Sequence, residues 1–128
     1  MKNVSCVILA GGQGTRMKSE IPKVLFDICG KTMVEHLLET IKELNFFKIY
    51  IVIGYKSELV KQKIFESSVG KKLKNKLFFV QQQKQLGSGH ALKLVEKYVS
   101  KTEKCLVVLS ADVPLVSKET LNELITQH

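Results

Sequence analysis

Short uninterrupted apolar runs alternate along the chain with stretches in which apolar residues recur every three or four positions. The uninterrupted runs are Ser5-Cys6-Val7-Ile8-Leu9, Ile49-Tyr50-Ile51-Val52-Ile53, Leu77-Phe78-Phe79-Val80 and Cys105-Leu106-Val107-Val108-Leu109. Runs of this length, rich in β-branched residues and without polar alternation, predict strands buried on both faces, as in a parallel sheet. Between them lie helical patterns. Thr32 and Glu35 form the capping pair of a helix expected over 33–44, with Met33, Val34, Leu37, Leu38, Ile41 and Leu44 on its buried side and a stop near Asn45. His36, between two of these positions, reads as an ordinary boundary histidine. Ser57 is placed to cap a second helix carrying Leu59, Val60, Ile64 and Phe65. A third carries Ala91, Leu92, Val95 and Tyr98, and a last, capped near Ser117, carries Leu121, Leu124 and Ile125. Pro22 biases Ile21 away from helix, so Val24 to Ile28 reads as a short extended piece. The segment from Gly70 to Lys76 holds four lysines and reads as a solvated loop.

Buried strands alternating with amphipathic helices make βαβ units with right-handed crossovers. The expected fold is α/β: a Rossmann-like three-layer α/β/α arrangement around a mainly parallel sheet, with ligands at the C-terminal ends of the strands. The unusual polar residues fall at those ends. The first strand stops in Gly11, Gly12 and Gly14, followed by Arg16, the only arginine in the chain. Glycines let backbone N–H groups approach phosphate oxygens, and a guanidinium adds charge and a fork of donors. Lys23, seven residues past Arg16, can return to the same phosphates. After the third strand comes Gln82-Gln83-Lys84-Gln85-Leu86-Gly87-Ser88-Gly89-His90. Gln82 has both a donor and an acceptor for a base edge, the glycines allow close approach to a ring or sugar, and His90 is open between a structural and a catalytic role. Asp112, one of two aspartates, follows the fourth strand. A carboxylate beside phosphates suits Mg²⁺, which prefers one or two carboxylates with phosphate oxygens and water.

The loop fits neither of the common phosphate-binding spacings. From Gly12 and Gly14 a dinucleotide fingerprint needs a third glycine or alanine where Met17 stands. Gly30-Lys31-Thr32 ends like a P-loop, but the required earlier glycine is replaced by Leu25. Lys31 and Thr32 therefore read as a helix entry.

Composition narrows the classes further. A chain of 128 residues with 45% hydrophobic residues makes one domain with a sizeable core. No apolar run approaches a membrane span, and the N-terminus reads as a buried first strand and not a leader. Cys6, Cys29 and Cys105 are odd in number, widely spaced and without CxxC, which points to reduced core thiols in a cytoplasmic protein. The formal charge of +8 comes almost wholly from 19 dispersed lysines. Nucleic-acid surfaces usually draw on arginine and interleaved aromatics, so this excess is read as help in attracting an anionic small substrate.

Four stretches together carry a family resemblance: Leu9-Ala-Gly-Gly-Gln-Gly-Thr-Arg-Met17, Pro22-Lys-Val-Leu25, Gln85-Leu-Gly-Ser-Gly-His-Ala91 and Asp112-Val-Pro-Leu115. They resemble the sugar nucleotidyltransferases, and within them the uridylyltransferase domain of the bifunctional bacterial N-acetylglucosamine-1-phosphate uridyltransferases. The likeness covers nearly the whole chain. It implies transfer of UMP from UTP to N-acetylglucosamine-1-phosphate, a step toward cell-wall and lipopolysaccharide precursors. Leu9, Ala10, Gly11 and Gly12 would hold the nucleotide, Arg16 and Lys23 would face the triphosphate, and Gln82, Gly87 and Ser88 would meet the uracil. Ala111 would lie beside the nucleotide and Asp112 would bind Mg²⁺. The resemblance also covers guanylyltransferases of molybdenum cofactor synthesis and cytidylyltransferases of isoprenoid synthesis.

Two positions depart from the family pattern. Ser88 stands where threonine is usual and keeps the hydroxyl; Ala111 stands where glycine is usual and adds a methyl near the expected path of the sugar or ribose. The family's domain also runs well past residue 128, so the chain is expected to hold the nucleotide-binding part of a domain incomplete at its C-terminus. That leaves room for a second polypeptide that completes it, and for a rival reading in which the chain binds nucleotide without turnover. The expected partners are UTP and a sugar-1-phosphate, with no nucleic acid and no membrane.

Overall fold

The computed structural model describes residues 3–11, 21–82, 87–103, 105–111, 119–120 and 123. Four parallel strands form the sheet: β1 (Val4–Leu9), β4 (Ile49–Ile53), β5 (Leu77–Gln81) and β6 (Cys105–Ser110). Their order across the sheet is β5-β4-β1-β6. A second, antiparallel pair, β2 (Asp27–Ile28) and β3 (Lys31–Thr32), makes a small hairpin. The helices are α1 (Met33–Lys42), α2 (Ser57–Glu66), α3 (Ser68–Lys72) and α4 (Ser88–Glu96). This is the Rossmann-like α/β arrangement expected from the alternating pattern, but only the central β1 and β4 are buried on both faces. At the sheet edges Phe78 of β5 and Leu106 and Val108 of β6 are exposed, because no further element covers them among the described residues.

Alternation along the central strands divides the core in two. Cys6 and Ile8 of β1 and Ile49, Ile51 and Ile53 of β4 face α1, α2 and α3, where Leu37, Ile41, Val60, Ile64 and Val69 meet them. Val7, Tyr50, Val52 and Val80 face the opposite side and are covered by Ala91 and Val95 of α4. Helices thus lie on both faces, as right-handed crossovers on either side of β1 require. Burial pushes the Cys6 thiol up to about 12, so it stays a protonated core group. Cys29, by contrast, is exposed and Cys105 half-buried, which corrects their reading as core thiols.

Local signals are honoured unevenly. The capping box at α1 forms with both bonds: Thr32 Oγ1 accepts from Glu35 N, and Glu35 Oε1 accepts from Thr32 N. The helix ends at Lys42, with Asn45 beyond it in the left-handed region. His36 is structural, its Nε2 lying 2.6 Å from the Ile28 carbonyl oxygen. Ser57 makes no capping bond; α2 starts from Lys56, itself at φ 51°. Lys23–Leu25 forms a 3₁₀ turn where an extended piece was expected, and only Asp27–Ile28 is strand. Tyr98 falls beyond α4 and is 60% exposed, so it does not share that helix's buried face. Of the last helix expected from Ser117, only 119–120 and 123 are described, and they are helical.

The lysine-rich segment follows expectation in part: Lys71, Lys72 and Lys74 are exposed and 73–76 are turn, but 70–72 close a short helix. Ser67 accepts from Gly70 N and nucleates α3, and Val69 and Gly70 are buried against α2. A Cβ at Gly70 would lie 1.8 Å from the Ile64 carbonyl oxygen. Backbone cannot yield like a side-chain tip, so Gly70→Ala is expected to cost about 1–3 kcal/mol through overpacking. Urea denaturation checks it: a midpoint equal to that of the unaltered chain would show that α2 and α3 do not pack this closely.

Candidate nucleotide site

β1 is followed by a connection toward β4 on one side, whereas β5 is followed by a crossover to β6 on the other. The carboxyl ends of β1 and β6 therefore flank a topological switch point, where α/β sheets open a crevice. Leu9, Ala10, Gly11 and Ala111 meet there. Ala10 N donates to the Val52 carbonyl at 2.8 Å, and Ala111 N donates to the Leu9 carbonyl at 3.1 Å. These bonds carry the ladder one residue past each strand, so the start of the glycine segment is anchored by the sheet. The methyls of Ala10 and Ala111 are buried in the core on the α1 side. What these two residues present to a ligand is therefore backbone. The added methyl at Ala111 is taken up by packing.

Lys23 reaches its position through its neighbours. Pro22 sets the entry to the 3₁₀ turn, Val24 and Leu25 are buried, and Phe26 N closes the turn on the Lys23 carbonyl at 3.0 Å. The Pro-Lys-Val-Leu motif thus combines two apolar anchors with one half-buried lysine held on a short, constrained turn.

Two strand spacings away, at the end of β5, stands a second group. Strands lie about 4.8 Å apart, so it is about 10 Å from the end of β1. Gln82 is buried at 4% exposure, and its N–H donates to the Ile53 carbonyl at 2.7 Å. Its side-chain Nε2 donates to the Gly87 carbonyl at 3.2 Å and lies 3.2 Å from His90 Nδ1. Gly87 has φ 94° and ψ 173°, a conformation essentially confined to glycine. This conformation turns its carbonyl toward Gln82 while the chain enters α4. Nothing in the one-dimensional pattern signalled the contact between Gln82 and His90, because eight residues and a chain reversal separate them.

Gly12, Arg16 and Asp112 lie outside the described residues, as does the side chain of Ser88. Among the described residues no group of three or more His, Cys, Asp or Glu could hold a metal ion. A groove of about 650 Å³ between the 3₁₀ turn and α2, including Leu25, Asp27, Leu59 and Glu66 in its wall, and another of about 380 Å³ beside α4 have no predicted site residue among their described linings.

The sequence missed one cluster entirely, at the opposite end of the sheet. Glu103 accepts from Ser5 Oγ at 2.6 Å, Tyr50 Oη at 2.7 Å and Ser100 N at 2.6 Å. Lys48 Nζ is 3.8 Å away. Burial by itself would raise the carboxyl, but the hydrogen bonds from Ser5, Ser100 and Tyr50 outweigh it and hold Glu103 at about 2. Burial and the Glu103 carboxylate together push the Tyr50 phenol up.

The chain is similar to known proteins along most of its length. The model of the MobA-like NTP transferase domain matches residues 6–128. The bifunctional protein GlmU of Shouchella clausii is 43% identical over 122 residues, and that of Clostridioides difficile 37% over 126. These matches cover 95% and 98% of this chain and 25% of each relative. The chain therefore spans about a quarter of the length of these curated relatives. Among solved structures, HddC of Yersinia pseudotuberculosis, complexed with GMP-PN, is 28% identical with a TM-score of 0.79, covering 99% of this chain and 54% of that one. Rv0371c of Mycobacterium tuberculosis, in complex with manganese, shares the fold at 18% identity and a TM-score of 0.75, covering 98% and 59%. Gly11 and Gln82 thus follow strands of one parallel sheet at their carboxyl ends, in a chain that matches one family along almost its whole length: it belongs to the MobA-like NTP transferase family of nucleotidyltransferases.

Proposed function

We propose that the chain carries the nucleotide half of a uridylyltransferase site, used to transfer UMP from UTP to N-acetylglucosamine-1-phosphate. The observation that carries this reading is the 43% identity to a bifunctional GlmU over 95% of the chain, with all four motifs in order. In this reading the backbone of Leu9 to Gly12 lines the nucleotide. Arg16 and Lys23 neutralise the triphosphate and the leaving pyrophosphate. Gln82, Gly87 and Ser88 meet the uracil, and the Ala111 backbone flanks the ribose. The span of about 10 Å between the ends of β1 and β5 leaves room for a ribose between base and phosphates.

A sugar-phosphate oxygen attacks the α-phosphorus in line; the new P–O bond forms as the bond to pyrophosphate breaks. The protein's part is positioning and charge stabilisation. Asp112, following β6 in sequence, supplies a carboxylate of the type Mg²⁺ takes alongside phosphate oxygens. When bound, the ion would offset charge on the phosphates. Reaction in the cytoplasm, without nucleic acid or membrane, fits this substrate pair. Among the described residues no helix is long and apolar enough to cross a membrane.

Incubating the chain with UTP, N-acetylglucosamine-1-phosphate and Mg²⁺ is expected to release pyrophosphate. CTP, GTP or omission of the sugar phosphate should not support it. Release from CTP or GTP in preference to UTP would overturn the uridylyl reading and favour a cytidylyl- or guanylyltransferase. The same experiment separates a second reading, in which this chain binds nucleotide without turnover or works with a second polypeptide. Saturable UTP binding without product supports that one.

A further inference from the structure

The side chain of Gln82 is a potential donor and acceptor, and the contacts it makes among the described residues use only the donor. The Gly87 carbonyl can only accept, so the amide atom 3.2 Å from it is the NH₂ group. The same nitrogen lies 3.2 Å from His90 Nδ1, which must then be an acceptor, with the ring neutral and its proton on Nε2. An amide nitrogen has two hydrogens, and these two partners engage both. What the carboxamide has left for a ligand is Oε1. Burial of Gln82 at 4% exposure resists a rotation that would exchange the two atoms, because the amide oxygen would then face a carbonyl.

We propose that His90 is a positioning residue for base selection: with the Gly87 carbonyl it fixes the Gln82 amide so that the site offers a base an acceptor and no donor. This rests on the reading that Gln82 meets the nucleobase. An acceptor in that place pairs with a ring N–H, which the imide of uracil provides and cytosine, whose ring nitrogen is itself an acceptor, does not. Donor–acceptor mismatch at a buried amide leaves a polar atom unpaired, the costly case.

The test is equilibrium binding of UTP, CTP and N3-methyl-UTP to the full 128-residue chain, as wild type, His90→Leu and His90→Asn, with thermal melts alongside. The wild type is expected to prefer UTP to both other nucleotides by about tenfold or more. His90→Leu should weaken UTP about tenfold and bring the three affinities together. His90→Asn should restore the preference, because its amide oxygen can accept near the place of Nδ1. Selectivity unchanged in His90→Leu overturns the proposal, and so does equal binding of UTP and N3-methyl-UTP by the wild type. That second comparison stands even where a His90 variant does not fold. A wild type that binds none of the three overturns instead the nucleotide reading beneath it.

Discussion

Replacing Glu103 by alanine is expected to destabilise the fold by about 3–5 kcal/mol, the cost of breaking a buried, hydrogen-bonded charge cluster by removing one member. The substitution strips the acceptor from Ser5 Oγ, Tyr50 Oη, Ser100 N and Ser100 Oγ at once. It also removes the carboxylate beside Lys48. Domains of this size are stable by about 5–15 kcal/mol, so a large part of the margin goes. The cluster ties the connection that precedes β6 to the N-terminal ends of β1 and β4, so its loss loosens the placement of β6 itself. Urea unfolding of wild type and Glu103→Ala measures this; a loss below about 1 kcal/mol would show that the cluster contributes no more than a surface pair.

The same group sets a pH dependence. Its folded pKa, about 2, lies below the ordinary value near 4.5. A carboxyl depressed in the folded state contributes stability that is present above its unfolded pKa and is lost as pH falls toward the folded one. The wild type should therefore lose more stability than Glu103→Gln between about pH 4.5 and 2. Parallel curves for the two would overturn the assignment.

Replacing Arg16 by alanine is expected to lower pyrophosphate release by about 10²–10³-fold, the usual loss when one fixed charge-stabilising donor is removed from a reacting phosphate or oxyanion. Arg16 is the only arginine of the chain, so no neighbouring guanidinium can replace its paired donors. Lysine in its place keeps charge but not the fork, and Arg16→Lys should recover only part of the rate. Rates of the alanine variant equal to wild type would remove Arg16 from the machinery. Where the chain binds UTP without turnover, the same variant is read as a loss of UTP affinity that grows weaker at high salt.

Much of the candidate site could be read from the sequence as a proposal, because phosphate recognition calls for residue types that are rare elsewhere. A β-branched run broken by three glycines, a lone arginine, and a lysine set between proline and two apolar anchors leave a linear trace. The Thr32–Glu35 cap was legible for the same reason, since both partners lie within one turn. Glu103 left no such trace. Its partners Ser5 and Tyr50 are 98 and 53 residues away, and an isolated glutamate before an apolar run looks like any surface charge. The lysine-rich segment misled only at its start for a related reason: its composition is that of a solvated loop, which 73–76 and the exposed lysines follow, while docking of Val69 and Gly70 against α2 makes 70–72 the end of a short helix.

What the sequence determined by itself, then, was the four strands of the sheet, the longer helices between them, and the residue types that follow the strands, because those depend on contacts within one element or one turn. The tertiary structure decided the strand order β5-β4-β1-β6, and with it which ends share a crevice. It also turned the methyls of Ala10 and Ala111 into the core and joined Gln82 to His90. Those outcomes depend on register and on long-range packing, where one residue's partner is set by the path of the whole chain.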